Sequence, residues 1–322
     1  MSPAAVTLAA LVLLLILVAV WFFHEKRKVA AAFARWGESA VPDCFQKIVP
    51  TCGPMFAAGA GSPPAMFDNS ASSRFAVGIV ARFIASLTPD STGWWLPNGR
   101  VKLIGYAPDL LPLAAVWPAS ESAAGVDSLR DRGGPRATLV AFRGTISAAD
   151  LAADAKYYER GLGDGTIRVH GGMYSVYLAA RDQLFSALPS RGQIFVAGHS
   201  LGAAVAFYFA REAAIRGYDV EVVGIAPPRA GNPAFAEDVS RVTRHALSVI
   251  NEADVVPTLP WTYMPDFAGT ARHPRPPTSY AHVEPVAIFS NRGPDAIANH
   301  GLPAYFAGLA MPDPLAIIPA DR

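Results

Sequence analysis

The first apolar run in the chain is also the longest. Ala4 to Phe23 holds 20 residues without a charge, and Thr7 is its only polar side chain. At about 1.5 Å per residue such a helix reaches roughly 30 Å, the thickness of a bilayer's hydrocarbon core. Trp21, Phe22 and Phe23 close the run, and His24-Glu25-Lys26-Arg27-Lys28 follows at once, the order of an aromatic interface anchor and a basic stop. A cleaved signal peptide would carry a positive n-region, a shorter apolar stretch and a small-residue cleavage site. The expectation is therefore one retained transmembrane helix over residues 4–23. Val29 to Trp36 predicts a short amphipathic helix, and Pro42 to Pro64, rich in Pro, Gly and Ala, reads as a linker. Residues 24–68 are thus expected to be juxtamembrane chain, and residues 69–322 the folded domain.

Within that domain the patterns shorten. In Ser73 to Leu87, Phe75, Ile79 and Phe83 recur four apart with Val80, Ile84 and Leu87 beside them, which predicts a helix packed on the core. Val101 to Tyr106, Leu113 to Trp117 and Ala137 to Arg143 read as strands, the last pair a hairpin with a long exposed connection. Gln193 to Ala197, Val220 to Ile225 and Ala246 to Ile250 are short continuous apolar runs that alternate with helical stretches such as Leu201 to Ile215. Unbroken apolar strands separated by helices predict an α/β domain, a mainly parallel sheet flanked by helices.

Composition narrows the function classes. The chain has 322 residues, 52% hydrophobic and 16% charged, with 27 Lys and Arg against 26 Asp and Glu. A net charge of +1 lacks the basic footprint of a nucleic-acid binder. Lys26, Arg27, Lys28 and Arg35 flank the apolar run on its C-terminal side and no Lys or Arg precedes it, so the positive-inside rule places the main domain on the cytoplasmic side. Cys44 and Cys52 are the only cysteines. A disulfide between them would favour an oxidising compartment, whereas two cysteines without CxxC spacing or a nearby His are more often buried thiols. No metal site and no cofactor is expected.

One pentapeptide carries chemistry. Gly198-His199-Ser200-Leu201-Gly202 stands between the strand pattern of Gln193 to Ala197 and the helix pattern of Ala203 to Ile215. Strand, tight turn and helix form the context of a nucleophile elbow, in which small residues two before and two after the serine let strand and helix approach closely. A serine hydroxyl is a weak nucleophile until a histidine takes its proton and a carboxylate orients that histidine. In the order Ser, acid, His, the acid sits just after a strand. Asp254 does so; Glu252 competes, and Asp238 falls in a predicted helix. Downstream histidines are His273 in a Pro- and Arg-rich loop, His282 opening the strand-like Val283 to Phe289, and His300 at a loop-to-helix transition. His300 is preferred as the base, with His282 second.

Several motifs in one order then resemble the class 3 lipase family, the fungal triacylglycerol lipases and their bacterial and plant relatives. Leu139-Val140-Ala141-Phe142-Arg143-Gly144-Thr145 is similar to the family's strand and oxyanion loop, Val169-His170-Gly171-Gly172-Met173 to its VHxGF turn, and Gly198 to Gly202 to its GHSLG elbow. Ala226 to Asn232 resembles its SPRVGN segment, Asn251 to Pro260 its N-x-x-D-x-V-P acid loop, and Asn299-His300 its terminal D-H. The resemblance implies an α/β-hydrolase fold, a triad of Ser200, Asp254 and His300, and an oxyanion hole at the backbone N–H groups of Thr145 and Leu201. It implies hydrolysis of acylglycerol esters through an acyl-enzyme, with phospholipase A1, a short-chain esterase or a silent membrane-tethered binding module as alternatives. His170 and His199 match family positions outside the triad and are read as structural, and Arg143 and Arg229 as braces of loops. Ile146 to Tyr158 matches the family's lid, with an ordinary surface helix as the alternative. Met173, Pro227 and Asn299 replace the family's Phe, Ser and Asp, which leaves the triad intact and the substrate open. The expected partners are a lipid ester and a membrane.

Overall fold

The chain is described here from a computed structural model, over residues 69–85, 102–105, 112–117, 137–144, 158–260, 263–264, 278–309 and 316–318. The expected transmembrane run, the 24–68 segment with Cys44 and Cys52, Thr145, residues 146–157 and His273 lie outside the described residues. Among the described residues, no helix is long and apolar enough to cross a membrane.

Strands β1 (Lys102–Gly105), β2 (Pro112–Trp117) and β3 (Thr138–Phe142) are followed by a small antiparallel pair, β4 (Glu159–Leu162) and β5 (Ile167–His170). Then come β6 (Gln193–His199), β7 (Asp219–Ile225) and β8 (His245–Asn251). A second small pair, β9 (Tyr263–Met264) and β10 (Thr278–Ser279), precedes β11 (Val286–Phe289) and β12 (Ala316–Ile318). The helices are α1 (Asn69–Ala85), α2 (Gly171–Ala187), α3 (Leu201–Ile215), α4 (Pro233–Val242), α5 (Ala296–His300) and α6 (Leu302–Leu309).

The main sheet has the order β1-β2-β3-β6-β7-β8-β11-β12. Its centre is parallel, from β3 through β6, β7 and β8 to β11, and antiparallel pairs close each edge. Successive side chains of a strand point to opposite faces, and here each face enters a core. Val140, Phe142, Ile194 and Val196 pack with α2, α3 and α4, whereas Leu139, Ala141, Phe195 and Ala197 pack with α1 and α6. Burial on both faces explains why these strands read as continuous apolar runs. A mostly parallel sheet between two helical layers is the architecture of the α/β-hydrolase fold.

The element readings agree with this arrangement, with shifts at the ends. The helix expected over 73–87 runs from Asn69 to Ala85, and the segment that His282 was expected to open pairs as a strand only from Val286. The helix Gly171–Ala187 is not among the elements read from the sequence, although its buried Met173, Val176, Tyr177, Ala180, Leu184 and Ala187 follow helical spacing. Its start is marked by His170, whose Nδ1 accepts from Met173 N–H at 3.3 Å. Asn232 caps α4 in the same way, accepting from Phe235 N–H at 3.0 Å ahead of Pro233. A side-chain acceptor satisfies one of the first-turn N–H groups that a helix leaves without an internal partner.

Candidate active site

Ser200 sits where β6 ends and α3 begins, with φ 57° and ψ −129°. A non-glycine residue in that region is strained, and such strain persists only where the surroundings over-determine it. Here they do. Ser200 N–H donates to Ile225 O on the neighbouring strand at 2.9 Å. A Cβ on Gly198 would stand 2.1 Å from Gly202 O, and one on Gly202 would stand 2.2 Å from Arg143 O. Strand, helix and the end of β3 therefore meet with no room for a side chain at either glycine, and the serine is pushed out at the turn.

The Ser200 hydroxyl donates to His300 Nε2 at 2.8 Å, and His300 Nδ1–H donates to Asp254 Oδ2 at 2.8 Å. The carboxylate can only accept, so the proton on His300 is at Nδ1 and the Nε2 lone pair faces the serine. All three groups are buried, Ser200 at 7%, His300 at 4% and Asp254 at 2% exposure, and water competes little for these bonds. The structure thus brings together the three residues chosen for the triad. Leu201 is the first residue of α3, so its N–H has no intrahelical acceptor and stands at the positive end of the helix. Gly144, at the end of β3, lies against the elbow, a Cβ there being 3.1 Å from both His199 Nδ1 and Ser200 Cβ.

The competing residues are engaged elsewhere. Glu252 is exposed. Asp238 is buried on α4 and paired with Arg211 at 2.5 Å and with Arg241. His282 Nε2–H donates to Pro257 O at 2.9 Å, and burial together with the charge of Arg229 lowers its pKa to about 4. Arg229 donates to Thr258 O at 2.5 Å and Pro260 O at 2.8 Å, so His282 and Arg229 both hold the acid loop. Arg143 donates to Gly144 O at 2.9 Å. His199 Nε2–H donates to the carbonyl of His300 at 2.9 Å, with the two rings 4.9 Å apart. Burial and then His300 hold its pKa at about 3, so His199 is a neutral support beneath the base.

Two residues in the site had no assigned role in the sequence. Tyr305 Oη–H donates to Asp254 Oδ2 at 2.7 Å and accepts from Asn251 N–H at 3.1 Å. Burial, and then the charge of Asp254, raise the phenol well above its usual pKa, so it remains a donor. With Val256 N–H on Oδ1 at 2.9 Å, the Asp254 carboxylate receives three donors. Asn251 was visible only as the first residue of the acid-loop motif. Tyr305 left no signal, because a tyrosine in an apolar helix reads as core. Among the described residues, no cluster of three or more His, Cys, Asp or Glu is placed to hold a metal ion.

Residues 139–264 match the family described as lipase (class 3). This stretch belongs to the class 3 lipase family. Among curated relatives, phospholipase A1 EG1 of Oryza sativa subsp. indica is 27% identical over 271 residues, 73% of this chain and 58% of the relative. The secreted mono- and diacylglycerol lipase A of Penicillium cyclopium is 30% identical over 158 residues, 46% of this chain and 47% of the relative. The chain therefore spans about half the length of the curated relatives it matches. Among solved structures, a triacylglyceride lipase of Rhizomucor miehei is 22% identical with a TM-score of 0.42, covering 60% of this chain and 67% of the other. The lipase match begins on β3 and ends on β9, so it takes in the elbow and the acid loop and stops short of His300.

Proposed function

We propose that the chain is a serine hydrolase of lipid carboxylic esters, with Ser200 as nucleophile, His300 as general base and acid, and Asp254 orienting the imidazole. The reading rests on one observation: Ser200 Oγ, His300 and Asp254 form a buried chain of 2.8 Å bonds at a strained strand-to-helix turn. As Ser200 Oγ attacks an ester carbonyl, His300 Nε2 takes the hydroxyl proton and the imidazolium is held by Asp254. The negative charge that develops on the carbonyl oxygen falls to the N–H groups of Leu201 and Thr145. Collapse expels the alcohol with the proton from Nε2 and leaves an acyl-serine. Water, deprotonated by His300, then releases the fatty acid and restores Ser200.

The family points to glycerolipids, and two substrate readings stand. A mono- and diacylglycerol lipase among the relatives supports acylglycerols, and a relative matched over 271 residues is a phospholipase A1. Elbow and triad do not distinguish the two; the acylglycerol reading is put first because the mono- and diacylglycerol lipase is 30% identical to the matched stretch against 27% for the phospholipase A1. In this reading residues 69–322 form one hydrolase domain, residues 4–23 anchor it to a bilayer, residues 24–68 link the two, and residues 146–158 cover the site and open at a lipid surface. Fluorophosphonate labelling of the full chain tests the chemistry. The wild type is expected to label and Ser200→Ala and His300→Ala to lose labelling; a Ser200→Ala protein that still labels or hydrolyses esters overturns the assignment. A panel of tri-, di- and monoacylglycerols and phospholipids separates the substrates, and inactivity of the folded protein across it favours a silent binding module. Protease access in sealed vesicles reports the side of the membrane, expected to be cytoplasmic.

A further inference from the structure

The base and the acid of the site come from segments 46 residues apart, and one side chain between them uses every polar atom it has. Asn251 ends β8, three residues before Asp254. Its Oδ1 accepts from Asn291 N–H at 2.9 Å and Ala253 N–H at 3.3 Å. Its Nδ2 donates to Asn291 O at 2.8 Å and to Asn299 O at 3.2 Å. The backbone N–H groups can only donate and the carbonyls can only accept, so the orientation of the amide is set and no other side chain of this size serves both. Asn299 is the residue before His300. Its own Oδ1 accepts from Gly293 N–H at 2.5 Å, and Asn291 Nδ2 reaches Ala304 O on α6 at 2.8 Å.

The backbone of Asn251 serves the acid in turn. Its carbonyl accepts from Asp254 N–H at 2.9 Å, closing the turn that carries the carboxylate. Its N–H donates to Tyr305 Oη, which donates to Asp254 Oδ2. One fully buried residue, at 0% exposure, is therefore bonded on one side to the turn of the acid and on the other to the residue preceding the base. From this geometry we infer that Asn251 is a positioning residue, a neutral clasp that sets where His300 stands relative to Asp254 and thereby to Ser200. A carboxylate in its place would lack the two donors. It would also add a second negative charge in the turn that carries the acid, where like charges disfavour ionisation of both carboxylates.

The inference rests on the serine hydrolase reading, and its test is arranged to fail separately. In the full chain in detergent micelles, kcat and KM are measured with p-nitrophenyl butyrate, together with the rate of fluorophosphonate labelling and the thermal midpoint. Asn251→Ala, which removes all four side-chain bonds, is expected to lower kcat and labelling rate together by about 10- to 100-fold with KM within about twofold, since a displacement on the order of 1 Å can cost that much. Asn251→Asp keeps the volume and the two accepting bonds, loses the donors toward Asn291 and Asn299, and adds a negative charge in the turn of Asp254. Measured on its pH plateau it is expected to lose about tenfold in kcat. A folded variant of either kind with kcat within about twofold of wild type overturns the proposal, as does a rise in KM with kcat unchanged. Failure of both variants to fold assigns Asn251 to stability alone and overturns it as well. A wild type that does not label, or a Ser200→Ala protein that does, fails the hydrolase reading instead.

Discussion

The two halves of the site are held by different forces. On the nucleophile side, Ser200 is set by steric packing: glycines at which an added Cβ would stand 2.1 and 2.2 Å from the backbone oxygens of Gly202 and Arg143, a strained turn, and apolar cores on both faces of β6. On the acid and base side, Asp254 and His300 meet through the polar bonds of Asn251, Asn291, Asn299 and Tyr305, of which only Tyr305 also enters an apolar core. Steric packing admits few alternatives and tolerates no added atom. A hydrogen-bond network is satisfied as a whole or costs the desolvation of each group left over. The nucleophile side should therefore fail through folding, and the acid and base side through chemistry.

The largest expected effect breaks the second half at its centre. Asp254→Asn leaves the shape intact and removes the acceptor that selects the His300 tautomer, so kcat should fall about 10⁴-fold with a small change in thermal midpoint. Steady-state kinetics beside a melting curve check this, and a loss below tenfold would show that Asp254 is not the orienting acid.

Lower pH tests both halves at once. His170, at the start of α2, and His282, on the acid loop, are held by burial at a pKa of about 4, and His199, beneath the base, at about 3. Each folded-state value lies below the ordinary 6.5, so the unfolded chain binds protons first as the pH falls. The stability is full above about pH 6.5 and declines toward pH 4, His199 continuing to about 3. By pH 5.5 the three together should cost about 4 kcal/mol. Urea unfolding at pH 7.5, 6.5 and 5.5 measures it, and a flat midpoint would mean that these imidazoles are solvated.

Gly202→Ala probes the first half. Its Cβ meets backbone rather than a movable side chain, and the overpacking should cost about 3 kcal/mol in denaturant unfolding. Activity per folded molecule should fall with it, because strand and helix must part at the serine. A variant as stable as wild type would show that the elbow is looser than the contacts state.

The smallest effect sharpens the contrast. Tyr305→Phe removes one of three donors to the Asp254 carboxylate and leaves the ring in the core, so kcat should fall by about tenfold, near 1.4 kcal/mol. Stability should change by about 1 kcal/mol, since Asn251 N–H loses its acceptor. An equal loss in stability and none in kcat would make Tyr305 a core residue only.

The difference between the halves also decides what was legible in advance. The elbow is written in consecutive residues, so strand, Gly-His-Ser-Leu-Gly and helix announce it in a line. Asp254 followed from its place after a strand and His300 from its place downstream at a loop-to-helix transition, because the order of the partners is a topological constraint. Tyr305 and the role of Asn251 were not legible. Their partners lie 51 and 48 residues away, and an asparagine after a strand or a tyrosine in an apolar helix has many ordinary uses. The same applies to His282, a second candidate by position alone. Its ring turns to Pro257 O, and only the packed loop shows that it braces the acid without facing the serine.

By itself, the sequence determined which strands would be buried on both faces, where the serine would be strained out of its turn, and the order in which acid and base would follow. Each of these depends on side-chain period or on neighbours along the chain. Only the tertiary structure decided the tautomer of His300, the three donors on Asp254 and the clasp at Asn251. Those are distances between atoms from separate segments, and no local rule sets them until the sheet and its helices have closed around them.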